Sequence, residues 1–279
     1  MLSKIFGRKD GIPLEDKLSR GRKFMPYILG GAPDSWVLWE EKIKIEAAEA
    51  FIKKWNEEHP PELRLTMHLL LLYACAKAHM MHPRMNKFIA GKRYYQRKGM
   101  YLSFSAKKEM SSHGGLLIFK RLFLPDESLE DVIIDIRKKL TKDRTDDISG
   151  QEKETLDLLK LPRPLLMAGM TGVKVLDFFN LLPDSFIEHN PMFASMFISN
   201  LGSMGLNSGF HHLYDFGNVS LFGVMGAPSE EPVVEDGQVV ARRIASLKWT
   251  FDERIEDGFN AARAAGAVTN FLENPETLL

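Results

Sequence analysis

Two short segments of this chain place polar side chains beside glycines at the predicted ends of strands. The first reads FISNLG over 197–202 and offers the hydroxyl of Ser199. The second reads FDERIEDG over 251–258 and offers the carboxylates of Glu253 and Asp257. Hydroxyl and carboxylate groups can exchange protons and hydrogen bonds with a substrate. These two segments are therefore the first candidates for a functional site.

Each of these side chains also has a simple structural explanation. Ser199 can satisfy a turn that follows a strand. Asp257 precedes Gly258 and the predicted C-terminal helix, which it can cap, and this role is compatible with one in a site. Glu253 can be an ordinary solvated acid, or it can pair with Arg254 or with an arginine of a neighbouring subunit. The residue types alone leave these alternatives open.

Histidine and cysteine give weaker indications of chemistry. His211 and His212 are adjacent and could act as a substitute base or bind a metal, since neutral imidazole suits both. No third ligand stands at a recognisable spacing, so we predict no metal site and keep the pair as candidate substrate-binding residues. Cys75, the single cysteine, lies in an apolar segment and excludes an internal disulfide. It fits a reducing compartment, so the expected location is the cytoplasm.

The composition is that of an ordinary globular domain. Of 279 residues, 37 are Lys or Arg and 37 are Asp or Glu, so the formal net charge is zero. This balance offers no basic surplus for a nucleic-acid backbone, and we expect no nucleic-acid partner. The start of the chain lacks the apolar run of a secretory signal. The most apolar run, 69–76, is far shorter than the ~20 residues that span a bilayer, so we expect no membrane span.

Hydrophobic periodicity predicts two blocks of strands with helices before, between and after them. The predicted strands are 35–46, 92–106, 115–124, 193–200, 218–225, 232–234 and 238–251. The predicted helices are 47–58, 66–82, 128–140, 151–182 and 259–272. Hairpin connections are predicted at His113–Gly115, in the glycine-rich stretch after 193–200, and at Asp236-Gly237. This order indicates helices packed on one mixed, largely antiparallel sheet, a two-layer α/β fold.

No linker or internal repeat divides the chain, so we predict one large domain preceded by an arm. Residues 1–35 are polar and contain several prolines and glycines, which indicates an irregular arm that crosses other parts of the fold. Residues 36–279 form the predicted domain.

The order of motifs resembles the catalytic domain of the 2-oxoacid dehydrogenase acyltransferases, to which chloramphenicol acetyltransferase is related. The similarity rests on FISNLG and its glycine-rich loop, LFGVMG, EEPVVEDGQVVARR and the final strand–DG–helix–ENPE. The buried helix, its HPRMN end and the hairpin beyond it add a second region of likeness. The matches cover roughly 65–117 and 197–275. Residues 121–196 diverge from the family, and the helical segment near 151–183 resembles an insertion.

The resemblance implies a chloramphenicol-acetyltransferase-like sandwich that assembles as a homotrimer, with a channel at each subunit interface. Acyl-coenzyme A would enter the channel from one side, and a small-molecule or carrier-borne thiol, hydroxyl or amine acceptor from the other. By family position, Ser199 would donate a hydrogen bond to the tetrahedral oxyanion, and Asp257 would order the site. The remaining candidate substrate-binding residues are Asn200, Gly202, Gly258, His211 and His212.

The chain departs from the family at the base. Where the family has the histidine of DHRxxDG, which takes the proton of the acceptor, this chain has Glu253 in DERIEDG. A carboxylate is a weaker base than imidazole, but burial, or nearby acids such as Asp252 and Glu256, raises the pKa of a carboxylic acid. Two functions follow as alternatives: a coenzyme A-dependent acyltransferase with Glu253 as its base, or an inactive trimeric scaffold or acyl-coenzyme A-binding module. Hydrolysis, with water as acceptor, would need the same base.

The resemblance also bears on cofactors. Family members carry a lipoyl domain upstream of the catalytic domain, and an arm of about 60 residues before the matching region has no room for one. We therefore expect a stand-alone catalytic module without a covalent lipoyl group on this chain.

Overall fold

The main sheet is organised by one long strand near the end of the chain, β10 (Gln238–Asp252). A computed structural model describes residues 7–107, 115–145 and 160–279. The other strands of the main sheet are β2 (Trp36–Lys44), β5 (Met100–Lys107), β6 (Leu116–Phe123), β7 (Met196–Asn200), β8 (Leu221–Met225) and β9 (Ser229–Glu235). They run in the order β2-β10-β8-β7-β5-β6, and β9 pairs with the first half of β10. A small sheet contains β1 (Gly11–Pro13), β3 (Lys87–Ala90) and β4 (Arg93–Arg97).

Four of the described helices pack together on one face of the main sheet. The described helices are α1 (Arg20–Ile28), α2 (Glu46–Glu58), α3 (Met67–Met81), α4 (Leu129–Thr145), α5 (Arg163–Phe178), α6 (Asp184–His189) and α7 (Gly258–Glu273). Of these, α2, α3, α4 and α7 share one apolar core with the sheet. α3 is apolar on every side because it lies inside this core. Among the described ranges, no helix combines the length and apolar character needed to cross a membrane.

The predicted class is confirmed: the chain is a two-layer α/β sandwich with a mixed sheet. Its strand pairs are antiparallel except β5 with β7 and β7 with β8. The predicted turn at Asp236-Gly237 joins β9 to β10, and both residues have positive φ, 50° and 76°. This is the backbone that a two-residue hairpin turn requires.

Two predicted strand arrangements are wrong. The strands at 193–200 and 218–225 do not form a hairpin, because the connection 201–220 carries the chain back and β8 runs parallel to β7. The predicted strand 92–106 is two strands in different sheets, broken next to Gly99. A side chain at Gly99 would lie 2.8 Å from the side chains of Leu122 and Tyr101, which would have to shift. The connection predicted at His113–Gly115 lies mostly outside the described residues.

The arm is more regular than predicted. It contributes β1 to the small sheet and contains α1, whose first turn is capped by the Ser19 hydroxyl. Pro26 lies inside α1 and has no N–H to donate to the carbonyl of Arg22. The Tyr94 hydroxyl lies 2.8 Å from that carbonyl oxygen and can donate to it instead. A tertiary contact therefore compensates for the proline that made the arm look irregular.

The helical segment predicted at 151–183 is described from 160 onward and contains α5. None of the residues of α5 is buried, although Leu165, Met167 and Met170 are apolar. A hydrogen bond of 2.6 Å from Arg8 to Asp177 ties the end of this helix to the arm.

The buried position of α3 makes its leucines sensitive to truncation. Leu71 is fully buried, so we expect Leu71→Ala to lower the free energy of unfolding by about 2–5 kcal/mol, measured by urea denaturation. Met81 lies at the exposed end of the same helix, and Met81→Ala should change the free energy of unfolding by less than about 0.5 kcal/mol. Equal effects of the two variants would contradict this account of the core.

Candidate active site

Glu253 lies in the turn 253–257, between the end of β10 and the start of α7. Hydrogen bonds join both backbone groups of Glu253 to the arm. The Glu253 N–H donates to the Ser35 carbonyl at 2.9 Å, and the Glu253 carbonyl accepts from Arg22 Nη1 at 2.8 Å. The side chain is half-buried and lines a cleft of about 600 Å³. Among the described residues, no side-chain partner of the Glu253 carboxylate is found.

Two buried ion pairs hold this turn in place. Asp252 binds the guanidinium of Arg254 through both oxygens, at 2.9 and 2.8 Å. Glu256 accepts from Lys87 Nζ at 2.5 Å and from Arg84 Nε at 3.0 Å. Buried charges require such partners because leaving water is costly.

The charges of this turn decide two points that the sequence left open. Glu253 does not pair with Arg254, because that guanidinium is taken by Asp252. Burial acts to raise the pKa of Glu256, but the hydrogen bonds from Arg84 and Lys87 outweigh it and lower that pKa to about 2. Asp252 and Glu256 are therefore balanced by cations and add no net repulsion beside Glu253.

Asp257 and Gly258 mark the start of α7. The Asp257 carboxylate accepts from the N–H of Asn260 at 3.1 Å, so the predicted helix cap is confirmed. Both residues line the same cleft as Glu253. This arrangement brings together the three predicted site residues of the DERIEDG segment.

Ser199 lies elsewhere, near the end of β7. Its hydroxyl is 3.5 Å from that of Ser105, and its backbone lies beside Val224 of β8. Val224 in turn lies opposite Lys248 of β10. Lys248 precedes Glu253 by five residues, so Ser199 and Glu253 are about 16 Å apart along the strand direction. Within one chain, the two side chains cannot act on the same bond.

Asn200 and Gly202 shape the turn that follows Ser199. The Asn200 side-chain oxygen accepts from the Ser203 N–H at 3.3 Å. A side chain at Gly202 would lie 2.6 Å from the carbonyl oxygen of Gly226, so only glycine fits there. Both residues thus have structural roles next to Ser199.

His211 and His212 lie on the sheet face that carries Ser199. The His211 ring stacks on Phe222 at 3.9 Å, and Phe222 stacks on Phe197, two residues before Ser199. His211 Nδ1 is 2.7 Å from the carbonyl oxygen of His212. A carbonyl can only accept, so Nδ1 carries the proton and Nε2 is free to accept one. Burial lowers the pKa of His211, which favours this neutral form.

No metal centre is assigned. Within the ranges that the structure describes, no three His, Cys, Asp or Glu side chains are placed to hold a metal ion together. Cys75 is a free thiol in the core, and burial raises its pKa.

Sequence reasoning missed the residues that support the turn 253–257. Arg84 and Lys87 fall in and just after the HPRMN stretch, so that motif contained a signal for them. Arg22 and Tyr94 gave no local signal, because they reach the turn only through the folding of the arm and the small sheet. The Tyr94 hydroxyl lies 2.9 Å from the Arg254 carbonyl oxygen.

The pair of Lys87 with Glu256 should dominate the stability of this turn. At neutral pH we expect Glu256→Gln to lower the free energy of unfolding by about 3–5 kcal/mol, because it leaves Lys87 buried without a counter-charge. The folded pKa of about 2 lies below the unfolded value near 4.5, so the contribution is complete above pH 4.5 and declines toward pH 2.

Chemical denaturation of the wild type and Glu256→Gln between pH 2 and 7 measures both effects. The difference between the two proteins should shrink as the pH falls through this window. Glu62 is exposed, and Glu62→Gln serves as a control that should change stability by less than about 0.5 kcal/mol. A pH-independent difference would contradict the role of the Glu256 charge.

Comparison with known proteins locates the similarity in the C-terminal third of the chain. Residues 192–279 match the family described as 2-oxoacid dehydrogenases acyltransferase (catalytic domain). Over 86 residues, 31% of this chain, the sequence is 35% identical to the dihydrolipoyllysine-residue acetyltransferase component of the pyruvate dehydrogenase complex of Staphylococcus aureus. The match spans about a fifth, 20%, of that relative's length.

Solved structures extend the likeness to nearly the whole fold. The dihydrolipoamide acetyltransferase of Azotobacter vinelandii aligns with a TM-score of 0.62 at 18% identity, over 92% of this chain and 88% of that one. A chloramphenicol acetyltransferase aligns with a TM-score of 0.53 at 12% identity, over 94% of this chain and 98% of that one. At these identities the likeness concerns the fold. The resemblance to the 2-oxoacid dehydrogenase acyltransferases is thus confirmed, by the sequence of residues 192–279 and by a fold that this chain shares with their catalytic domains and with chloramphenicol acetyltransferase.

Proposed function

We propose that this protein transfers an acyl group from acyl-coenzyme A to a thiol, hydroxyl or amine acceptor, with residues 36–279 as its catalytic module. The observation that carries the proposal is the turn 253–257. Two buried ion pairs keep its backbone fixed, and Glu253 lines a cleft. The resemblance of DERIEDG to the family's motif supports Glu253 as the counterpart of the family's base. A proton acceptor on a fixed backbone beside a substrate-sized cleft suits general-base catalysis.

In the proposed reaction, the Glu253 carboxylate takes the proton of the acceptor as the acceptor's heteroatom attacks the thioester carbonyl carbon. The carbonyl oxygen becomes an oxyanion, to which the Ser199 hydroxyl donates a hydrogen bond. Collapse of the tetrahedral intermediate breaks the carbon–sulfur bond. The coenzyme A thiolate leaves and recovers the proton from Glu253. Asp257 contributes by capping α7, which fixes the start of the helix next to the base.

We place each site between two subunits of a homotrimer. The separation of Glu253 from Ser199 within the chain supports this placement, because one chain alone cannot apply both groups to one bond. Asn200 and Gly202 hold the turn beside Ser199, and His211 and His212 would line the acceptor side on the same sheet face. The relative from S. aureus is named for a dihydrolipoyllysine residue, so a carrier-borne dihydrolipoyl thiol is the first acceptor to test.

A second candidate is a trimeric scaffold or acyl-coenzyme A-binding module without catalysis. It is favoured by the absence of the family's histidine at position 253. The ion pairs of Asp252 and Glu256 would keep the turn intact whether or not Glu253 acts as a base. Calorimetric binding of acyl-coenzyme A without any turnover would support this candidate.

For the cellular location we propose the cytoplasm. The single cysteine, Cys75, is a free and buried thiol, which suits a reducing compartment.

The assigned roles predict specific losses of activity. We expect Glu253→Gln to lower kcat by about 10²–10⁴-fold, because an amide cannot accept the proton. Ser199→Ala should lower kcat by about 10²–10³-fold through the loss of one oxyanion donor. Steady-state assays of coenzyme A release would measure both, with Ser185→Ala, at an exposed serine of α6, as a control of unchanged rate. An unchanged rate in Glu253→Gln would show that Glu253 is not the base.

Mixed trimers test the placement between subunits. Neither Glu253→Gln nor Ser199→Ala should be active alone, but trimers of both variants contain some interfaces with an intact Glu253 from one chain and an intact Ser199 from the next. Random mixing of equal amounts should restore about one quarter of the wild-type activity, since each interface is directional. Co-expression with two affinity tags, followed by the same assay, gives the measurement. No recovery in verified mixed trimers would contradict the interfacial site.

A further inference from the structure

The cleft beside Glu253 is bounded by three parts of the fold. Val37 and Trp39 of β2 and Phe251 of β10 form its floor. Ala261 and Ala262 of α7 form one wall, and Met25 of α1 forms another. The charged side chains that line the cleft are Arg22, Glu41, Glu253, Glu256 and Asp257. The cleft thus joins an apolar trough to a few polar groups, as small-molecule sites do.

We propose that this cleft binds the acyl chain of the substrate, and that the preferred acyl group is apolar and longer than acetyl. This inference rests on the proposed acyl transfer. The cleft measures about 600 Å³, far more than the methyl of an acetyl group fills. A chain with its thioester at Glu253 would lay its methylenes on Trp39 and Phe251. Each buried methylene strengthens binding by about fourfold, so the apolar floor selects for length.

The small residues of α7 keep the trough open. Ala261 and Ala262 present only methyl groups to the cleft, at the point where α7 passes β2. Larger side chains there would take up space in the cleft. The width of the cleft beside α7 therefore depends on these two alanines.

Trp39 lines both this cleft and a smaller cavity in the core. Its ring packs against Trp249 at 6.3 Å and against Phe251, edge to face, at 6.0 Å. Behind it lies a cavity of only about 10 Å³, lined by His79 and Trp249, whose Nε2 and Nε1 atoms have no protein partner. This space is enough for about one water molecule and cannot extend the chain path. Trp39 thus lies between the cleft and the core, and we expect it to limit the length of the acyl chain.

The test is a series of saturated acyl-coenzyme A substrates from acetyl to dodecanoyl. For the wild type, kcat/KM should rise by about fourfold per methylene up to a maximum and then stop rising. Ala262 is exposed on α7, so Ala262→Trp should fold and narrow the cleft. This variant should lose roughly tenfold or more with octanoyl-coenzyme A and less than about threefold with acetyl-coenzyme A.

Two further variants sharpen the result. Gly266 lies on the exposed side of the same helix, where an added side chain meets nothing, so Gly266→Trp should leave the length profile unchanged. Trp39→Ala should shift the maximum of kcat/KM to longer acyl chains. A wild-type preference for acetyl, or equal losses for all lengths in Ala262→Trp, would overturn the acyl-chain site while leaving acyl transfer intact.

Calorimetry of the same substrates separates this proposal from the proposed function. If no acyl-coenzyme A is turned over, the proposed acyl transfer is wrong. The dependence of Kd on chain length still tests whether the cleft binds the acyl chain. Affinity that rises with length in the wild type and not in Ala262→Trp supports the acyl-chain site. Affinity that is independent of length overturns it.

Discussion

The turn between β10 and α7 depends on carboxylates that are buried together with their counter-charges. An isolated buried carboxylate would cost several kcal/mol, so Glu256 remains ionised only because Lys87 and Arg84 meet it. Lys87 belongs to β3 of the small sheet, and Glu256 follows β10 of the main sheet. One ion pair therefore joins the two sheets and fixes the segment that carries Glu253.

The arm completes this arrangement from the other side. Arg22 donates to the carbonyl of Glu253, and Tyr94 lies between the carbonyls of Arg22 and Arg254. The N–H and the carbonyl of Glu253 thus find their partners in Ser35 and Arg22 of the arm, and both groups would lose these hydrogen bonds without it. α1 also supplies a wall of the cleft through Met25. The first part of the chain is consequently part of the candidate site.

The two faces of the main sheet divide the candidate residues. Alternation along the strands sends Trp39 and Phe251 toward the helices, and Ser199 and Phe222 toward the connection 201–220. Glu253 lies near the first group and Ser199 belongs to the second. The architecture thus separates the groups that acyl transfer would combine, and a second subunit is the simplest way to reunite them.

The sequence by itself determined the fold class, most of the helices, the cap at Asp257 and the two segments that contain the candidate residues. These features depend on local patterns, namely apolar periodicity, capping residues and the Asp-Gly turn. Only the tertiary structure decided the parallel pairing of β7 with β8, the partner of Arg254 and the roles of Lys87 and Tyr94. The strand pairing and the contacts of Lys87 and Tyr94 join residues far apart in the chain. Asp252 lies only two residues before Arg254, but Glu253 and Glu256 are as near in sequence, so which of these carboxylates meets the buried guanidinium depends on packing that no local pattern encodes.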